Sequence, residues 1–338
     1  MYGWPRSGSG VRQWWSATAR SVRIRPEAVP TGRYPPEVAR SRTLISTAQG
    51  THQQAFGPVE WGLLAFIAGV WGSSFLLIAV GIDAFAPGVV TFLRILFGML
   101  GLAVVPAVRT PIDREDQPRL ALIAFTWMAL PLSLFPIAEL YVDSSVAGMI
   151  NGSVPLFAAV FASVLLATRP GRRQAVGLLV GFAGVVAISL PSLRGADASP
   201  LGVALLLVAV VFYGLSANLA VPLQQKYGGL PVMWRVQLWA LLMTAPYGLA
   251  SIPASEFAWS SLAAVVVLGL LGTGWAFVAM TNLMGRAGAA RGSVAIYLTP
   301  VVAVALGVVF RDETVAALAL VGMVLVLVGA WLTSRAEA

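Results

Sequence analysis

The sequence predicts an all-α membrane protein of ten transmembrane helices in two inverted five-helix repeats, and three observations predict it. Hydrophobic residues make up 58% of the 338 and charged residues 11%, with a mean hydropathy of +0.83, against roughly 25% charged in an ordinary soluble domain. Several apolar runs exceed the ~18 residues with which a helix crosses about 30 Å of hydrocarbon, and they lack the ~10-residue alternation of barrel strands. A register of 145 residues relates the halves, with Pro155 falling on Pro300, Gly177 on Gly322 and Gly184 on Gly329.

Residues 1–57 come first. They hold eight arginines, from Arg6 to Arg42, against Glu27 and Glu37, with no sustained apolar period, and are expected to form a disordered basic N-terminal tail. No 7 to 15 residue apolar stretch follows the basic residues, so a signal peptide is not expected. Trp14 and Trp15 beside arginines suit an anionic lipid surface; a nonessential extension is the other reading.

Ten spans follow, at about 59–81, 87–108, 119–140, 144–167, 174–192, 200–222, 231–252, 257–281, 290–310 and 315–334. The first repeat covers 59–192 and the second 200–334. With the tail inside, inner segments between or after spans carry ten Arg or Lys residues, from Arg109 to Arg335, while outer segments carry Arg194 and Arg311. The positive-inside rule then places both termini in the cytoplasm. Lys226 is the only lysine, and that arginine bias, with abundant Ala, Gly and Val, points to a GC-rich bacterial genome and a bacterial cell (inner) membrane.

The repeat has mechanical content. VWGSSF at 70–75 resembles FYGLSA at 212–217, and because five is odd the second copy enters the membrane from the opposite side. Two bundles of opposite orientation can exchange conformations and expose a midplane site to each side in turn. Pro155 and Pro300 each lie 11 residues into their spans, about 16 Å deep at 1.5 Å per residue. Trp71 and Tyr213 reach the same level. An intramembrane proline frees a carbonyl that protein or a wet cavity has to satisfy, so the pair is expected to face a central cavity; kinking for packing is the plainer alternative.

Ionisable residues within spans are costly and therefore informative. Arg94 lies about 10 Å below the outer surface; Glu139 and Asn151 share its layer. Arg94 either holds an anionic group or forms a structural pair, and Glu139 either carries a coupling proton or is structural. Candidate cavity-lining residues are Trp71, Ser74, Arg94, Asn151, Pro155, Tyr213, Asn218, Trp275, Tyr297 and Pro300. Arg235 is expected to snorkel to the interface.

There is no HExxH, no GxSxG, no Walker loop, no cysteine and a single histidine, His52, so no catalytic residue, metal or cofactor is expected and the chain is not read as an enzyme.

Three segments carry a family resemblance: VWGSSFLLIAVGIDAFAPGVVTFLRILFG, LFPIAELYVDSSVAGMINGSVPLFAAVFA and GAARGSVAIYLTPVVAVALGVVFRDE. Together they resemble an EamA-type transporter of the drug/metabolite transporter superfamily. The resemblance implies a ten-helix basket that moves small metabolites, amino acids or drugs by secondary transport, often outward. Its motif positions here are Trp71, Arg94, Glu139, Asn151, Pro155 and Pro300; the arginine tail is not part of the pattern. The expected function is therefore export of a small organic solute by alternating access. The alternatives are a lipid or lipid-linked sugar flippase and a non-transporting sensor or scaffold. The expected partners are a small-molecule substrate and the lipid bilayer, with a homodimer left open and no nucleic acid.

Overall fold

The structure is a computed structural model that describes residues 44–52, 54–142, 144–190, 199–302, 305 and 316–335. Residues 1–43 of the tail expected over 1–57, the ends of the fifth and ninth spans, Arg194 and Arg311 lie outside the described residues. The described residues are mostly helical, with no β-strand among them. We number the helices α1 (Pro58–Gly72), α2 (Ser74–Ile82), α3 (Pro87–Ala103), α4 (Gln117–Ile123), α5 (Leu130–Ala138), α6 (Ser144–Asn151), α7 (Val154–Leu166), α8 (Arg172–Ser189), α9 (Pro200–Tyr227), α10 (Gly229–Ala250), α11 (Trp259–Val267), α12 (Ala276–Ala287), α13 (Ala289–Gly292) and α14 (Ala317–Ser334). Six continuous helical runs are long and apolar enough to cross a membrane, and Pro87–Ala103 and Ala289–Val302 are shorter apolar helices.

Proline opens several helices, while Pro136, Pro222 and Pro246 lie within α5, α9 and α10. Pro58, Pro87 and Pro200 are first residues, where the missing N–H has no intrahelical partner to lose. Pro155 obeys the same rule. α6 stops at Asn151, Gly152 and Ser153 form a turn, and Pro155 is the second residue of α7. On the other side, Ser293–Leu298 is a 3₁₀ stretch and α-helical backbone resumes at Thr299, again placing Pro300 second. The Ile296 carbonyl, which Pro300 cannot reach, is taken by the Thr299 N–H and by its hydroxyl at 2.8 Å.

Two further departures from α geometry matter. Ala124–Ala129, between α4 and α5, and Leu268–Trp275, between α11 and α12, are π-helical. Widened turns of this kind are rare and gather at functional sites.

The helices approach closely where glycine removes the side chain. A Cβ added to Gly329 of α14 would lie 2.4 Å from the Gly181 nitrogen of α8, and one at Gly184 would lie 2.6 Å from the Val326 nitrogen. Since Gly177 meets Gly329 and Gly184 meets Gly322, α8 and α14 run antiparallel. Van der Waals contact between small residues is the main source of such helix pairing in lipid. On the face that carries residues 44–57, Glu60 accepts a hydrogen bond from Arg286 at 2.6 Å. There too the Lys226 ammonium and the Tyr227 hydroxyl donate to Asp113 and hold its carboxyl below the usual carboxylate range.

Replacing Gly329 by Leu forces the α8–α14 backbones apart, and thermal unfolding of the detergent-solubilised protein is expected to show a loss of about 1–3 kcal/mol or more. Gly69→Ala, where an added Cβ meets nothing within 4 Å, is expected to be neutral or to gain up to about 1 kcal/mol.

Candidate functional site

The candidate site is a cavity between the helices, of about 70 Å³. At roughly 10–15 Å³ per water it holds a few solvent molecules, well short of the roughly 300–1,000 Å³ that encloses a drug-sized ligand. The site is contracted in this conformation. Its wall is aromatic: Trp71, Phe75, Trp127, Phe135, Tyr213 and Phe277. Trp71 and Trp127 meet Phe277 edge-on at 5.2 and 5.5 Å, and Phe135 stacks on Tyr213 at 5.8 Å. Ring pairs at such distances add about 0.5–1.5 kcal/mol beyond their buried area, so the wall is held by its own contacts.

Broken helices build this wall. Trp71 stands in the last turn of α1 just before the break at Ser73, and its indole N–H donates to the Gly272 carbonyl of the second π segment at 2.9 Å. Trp127 comes from the first π segment. Asn151, the last residue of α6, and Ile296, in the 3₁₀ stretch, line the cavity one turn before Pro155 and Pro300.

Arg94 of α3 supplies the positive charge. It is 4% exposed. Its Nε–H donates to Thr273 Oγ1 at 3.0 Å, while among the described residues neither Nη makes a hydrogen bond. Gln237 braces the same segment by donating to the Thr273 carbonyl at 3.1 Å. One edge of the guanidinium is therefore tied to the π segment and its terminal fork remains uncommitted beside the aromatic wall.

The structure thus brings Trp71, Ser74, Arg94, Asn151 and Tyr213 to one cavity. The other candidates lie elsewhere, each for a physical reason. Pro155 is buried next to the lining residue Val154, and Pro300 is half-buried; the carbonyl-bearing turn before each proline reaches the cavity and the ring does not. Asn218 is tied between helices, donating to the Ala158 carbonyl at 2.9 Å and to Gly214 at 3.0 Å. Tyr297 is fully buried against α8, its hydroxyl donating to the Leu178 carbonyl at 2.8 Å and its ring filling the space left by Gly181. Trp275 is 37% exposed and turned away from the cavity. Glu139 is half-buried at the end of α5, off the wall. Phe75, Trp127, Phe135 and Phe277 were not singled out from the sequence, because an aromatic residue in an apolar run has the same hydropathy whether it faces lipid or cavity.

Comparison with known proteins identifies the family. The EamA-like transporter family matches residues 60–190 and again 200–335, and the chain belongs to it. A protein of Streptantibioticus cattleyicolor named "Probable terminal-alkyne amino-acid exporter" is 29% identical over 81% of this chain and 93% of its own length. An "Uncharacterized transporter" of Archaeoglobus fulgidus is 24% identical over 82% of this chain and 99% of its own. A crystal structure that covers 81% of this chain and 95% of its own superposes with a TM-score of 0.64 at 19% identity, which speaks to the fold. The chain is thus a membrane-embedded, multi-pass transporter and not an enzyme.

Thr273→Val removes the acceptor of the Arg94 Nε–H and leaves that donor buried, at an expected cost of about 1–3 kcal/mol in thermal unfolding. Thr273→Ser keeps the oxygen and is expected to keep most of that stability.

Proposed function

We propose that this member of the EamA-like family is a secondary transporter that exports a small amino acid with an apolar side chain, and that Arg94 captures its carboxylate. The observation that carries the proposal is the uncommitted fork of a guanidinium buried beside an aromatic wall. An arginine near the bilayer centre costs about 2.5–3.5 kcal/mol even on insertion scales, and two parallel N–H groups match the two oxygens of a carboxylate. The rings accommodate an apolar side chain, and their faces attract an ammonium. The exporter name of the Streptantibioticus relative supports both the substrate class and the direction.

For the mechanism we infer ten spans in two inverted halves that alternate access. Paired contacts support this arrangement. Gly72 packs on Val302, and their counterparts Gly214 and Phe157 pack in the same way; the Gly177–Gly329 contact maps onto Gly322–Gly184. The π segments begin at Ala124 and Leu268, at matching places in the halves. Because the cavity is contracted, the solute needs one half to move against the other before it can enter. The excess of basic residues in the inner segments supports termini on the cytoplasmic side of a bacterial cell membrane. Glu139, in the Arg94 layer and off the cavity wall, is our candidate for the coupling proton.

A panel of apolar L-amino acids, L-propargylglycine among them, should raise the melting temperature of the purified full-length protein, by an amount equivalent to about 2.7 kcal/mol at a hundred times Kd. The matching carboxamides should not, and Arg94→Lys should weaken binding at least tenfold, with each shift read against that variant's own unliganded melting temperature. Equal stabilisation by the carboxamides, or by no amino acid at all, sinks the assignment. In proteoliposomes, Glu139→Gln should abolish uphill movement driven by a pH gradient; uphill movement at the wild-type rate removes Glu139 from that role.

A further inference from the structure

Asn151 and Ile296 are related by the 145-residue register, and both line the central cavity. Matching turns therefore present an amide at one place and a branched hydrocarbon at the other. The Asn151 side chain makes no hydrogen bond among the described residues, and Arg94 is the only charged residue among those lining the cavity.

The polar pair and Ile296 enter the cavity from opposite ends. Arg94 and Asn151 each lie seven residues past the first residue of their helices, α3 and α6, about 10 Å along the axis. The start of α3 sits beside the loop that precedes α11, with the Ala86 N–H donating to Ser255 Oγ at 2.8 Å. From that loop the helical run Trp259–Ala287, 29 residues long, carries the chain to the far end of the molecule. Met280 and Met284 stand among its last eight residues. Ile296 returns from the same end: α13 begins two residues after α12 stops, and a Cβ added to Gly292 of α13 would lie 3.0 Å from Met284 Cγ.

Phe277, Met280 and Met284 follow one another at spacings of three and four residues, which is a single face of α12. With Ile296 they line the cavity, and each is at most 4% exposed. Two methionines in such a wall have a physical consequence. The side chain is unbranched, turns about three bonds and ends in a polarisable thioether, so it re-packs around partners of different shape. A rigid apolar pocket separates neighbouring homologues by about tenfold or more per methylene. A methionine wall follows the added methylene instead.

We propose that the cavity holds its solute in one orientation, with the head group at Arg94 and Asn151 and the apolar side chain between Phe277, Met280, Met284 and Ile296, and that the two methionines decide which side-chain lengths are accepted. This orientation rests on the amino-acid reading given above and extends it to the residues that meet the side chain.

The probes are L-2-aminobutyrate, L-norvaline, L-norleucine and L-2-aminoheptanoate, each one methylene longer than the last. Affinities come from the ligand dependence of the melting temperature of the full-length protein, with every variant read against its own unliganded value. In the wild type, neighbours in the series should differ by less than about threefold. Met284→Ala enlarges the apolar end and should raise the affinity ratio of L-2-aminoheptanoate to L-2-aminobutyrate at least tenfold. Met284→Leu keeps the volume but not the flexibility, and neighbours should then differ by about tenfold. Asn151→Ala should weaken every member by a similar factor and leave their order unchanged. Identical spacing of the series in the wild type and both Met284 variants overturns the side-chain site and leaves the Arg94 assignment standing. A reordered series in Asn151→Ala, with none in the Met284 variants, reverses the orientation and overturns it as well. Stabilisation of the wild type by no member removes the amino-acid reading and this orientation together.

Discussion

Hydrocarbon offers no partner to a backbone N–H or C=O, and most of this structure follows from that constraint. A helix in lipid can be broken only where protein or a water-holding cavity covers the break. Here the breaks do not scatter. The turn at Ser73, the gap at Gly152–Ser153, the 3₁₀ stretch Ser293–Leu298 and both π segments supply residues to one cavity or brace those that do. A continuous helix would send its side chains outward at fixed intervals; each interruption re-aims a short stretch, so Trp71, Trp127, Asn151 and Ile296 converge.

Close helix approach is the second consequence. Association in lipid gains little from apolar burial, because the tails are as apolar as leucine, and it relies on contact between small residues. The glycines of α8 and α14 bring two backbones together, and Tyr297 fills the neighbouring gap with its hydroxyl satisfied by Leu178. Backbones packed at that distance leave no space for a larger residue.

The buried guanidinium concentrates the electrostatics. Arg94 is anchored at one edge by Thr273, a residue of the irregular π segment, so its position depends on the same broken geometry that aims the rings. A fixed fork in a low-dielectric surrounding attracts a planar anion far more strongly than one in water. Ser46, Gln49, Thr51, His52, Gln54 and Phe56 are held differently, by hydrogen bonds with buried Arg119 and with helix-end groups far away in sequence.

Much was legible in the chain alone. The apolar runs require membrane helices, and Arg94 stands out because a charge in a span is expensive. The matched prolines marked the right turns but not the right atoms, since a sequence shows where an N–H is missing and cannot show which neighbouring side chain then swings into the space. Hydropathy treats Phe135 and Trp275 alike, although one stacks on Tyr213 and the other faces outward. Composition likewise grouped residues 44–57 with the basic tail, because a segment held by backbone hydrogen bonds to distant helices leaves no periodic mark. Local chemistry, then, determined that the chain is a helical membrane transporter with a costly arginine. Only contacts between residues far apart in sequence decided which rings surround that arginine and how Ser46, Thr51 and His52 are held against the helix ends.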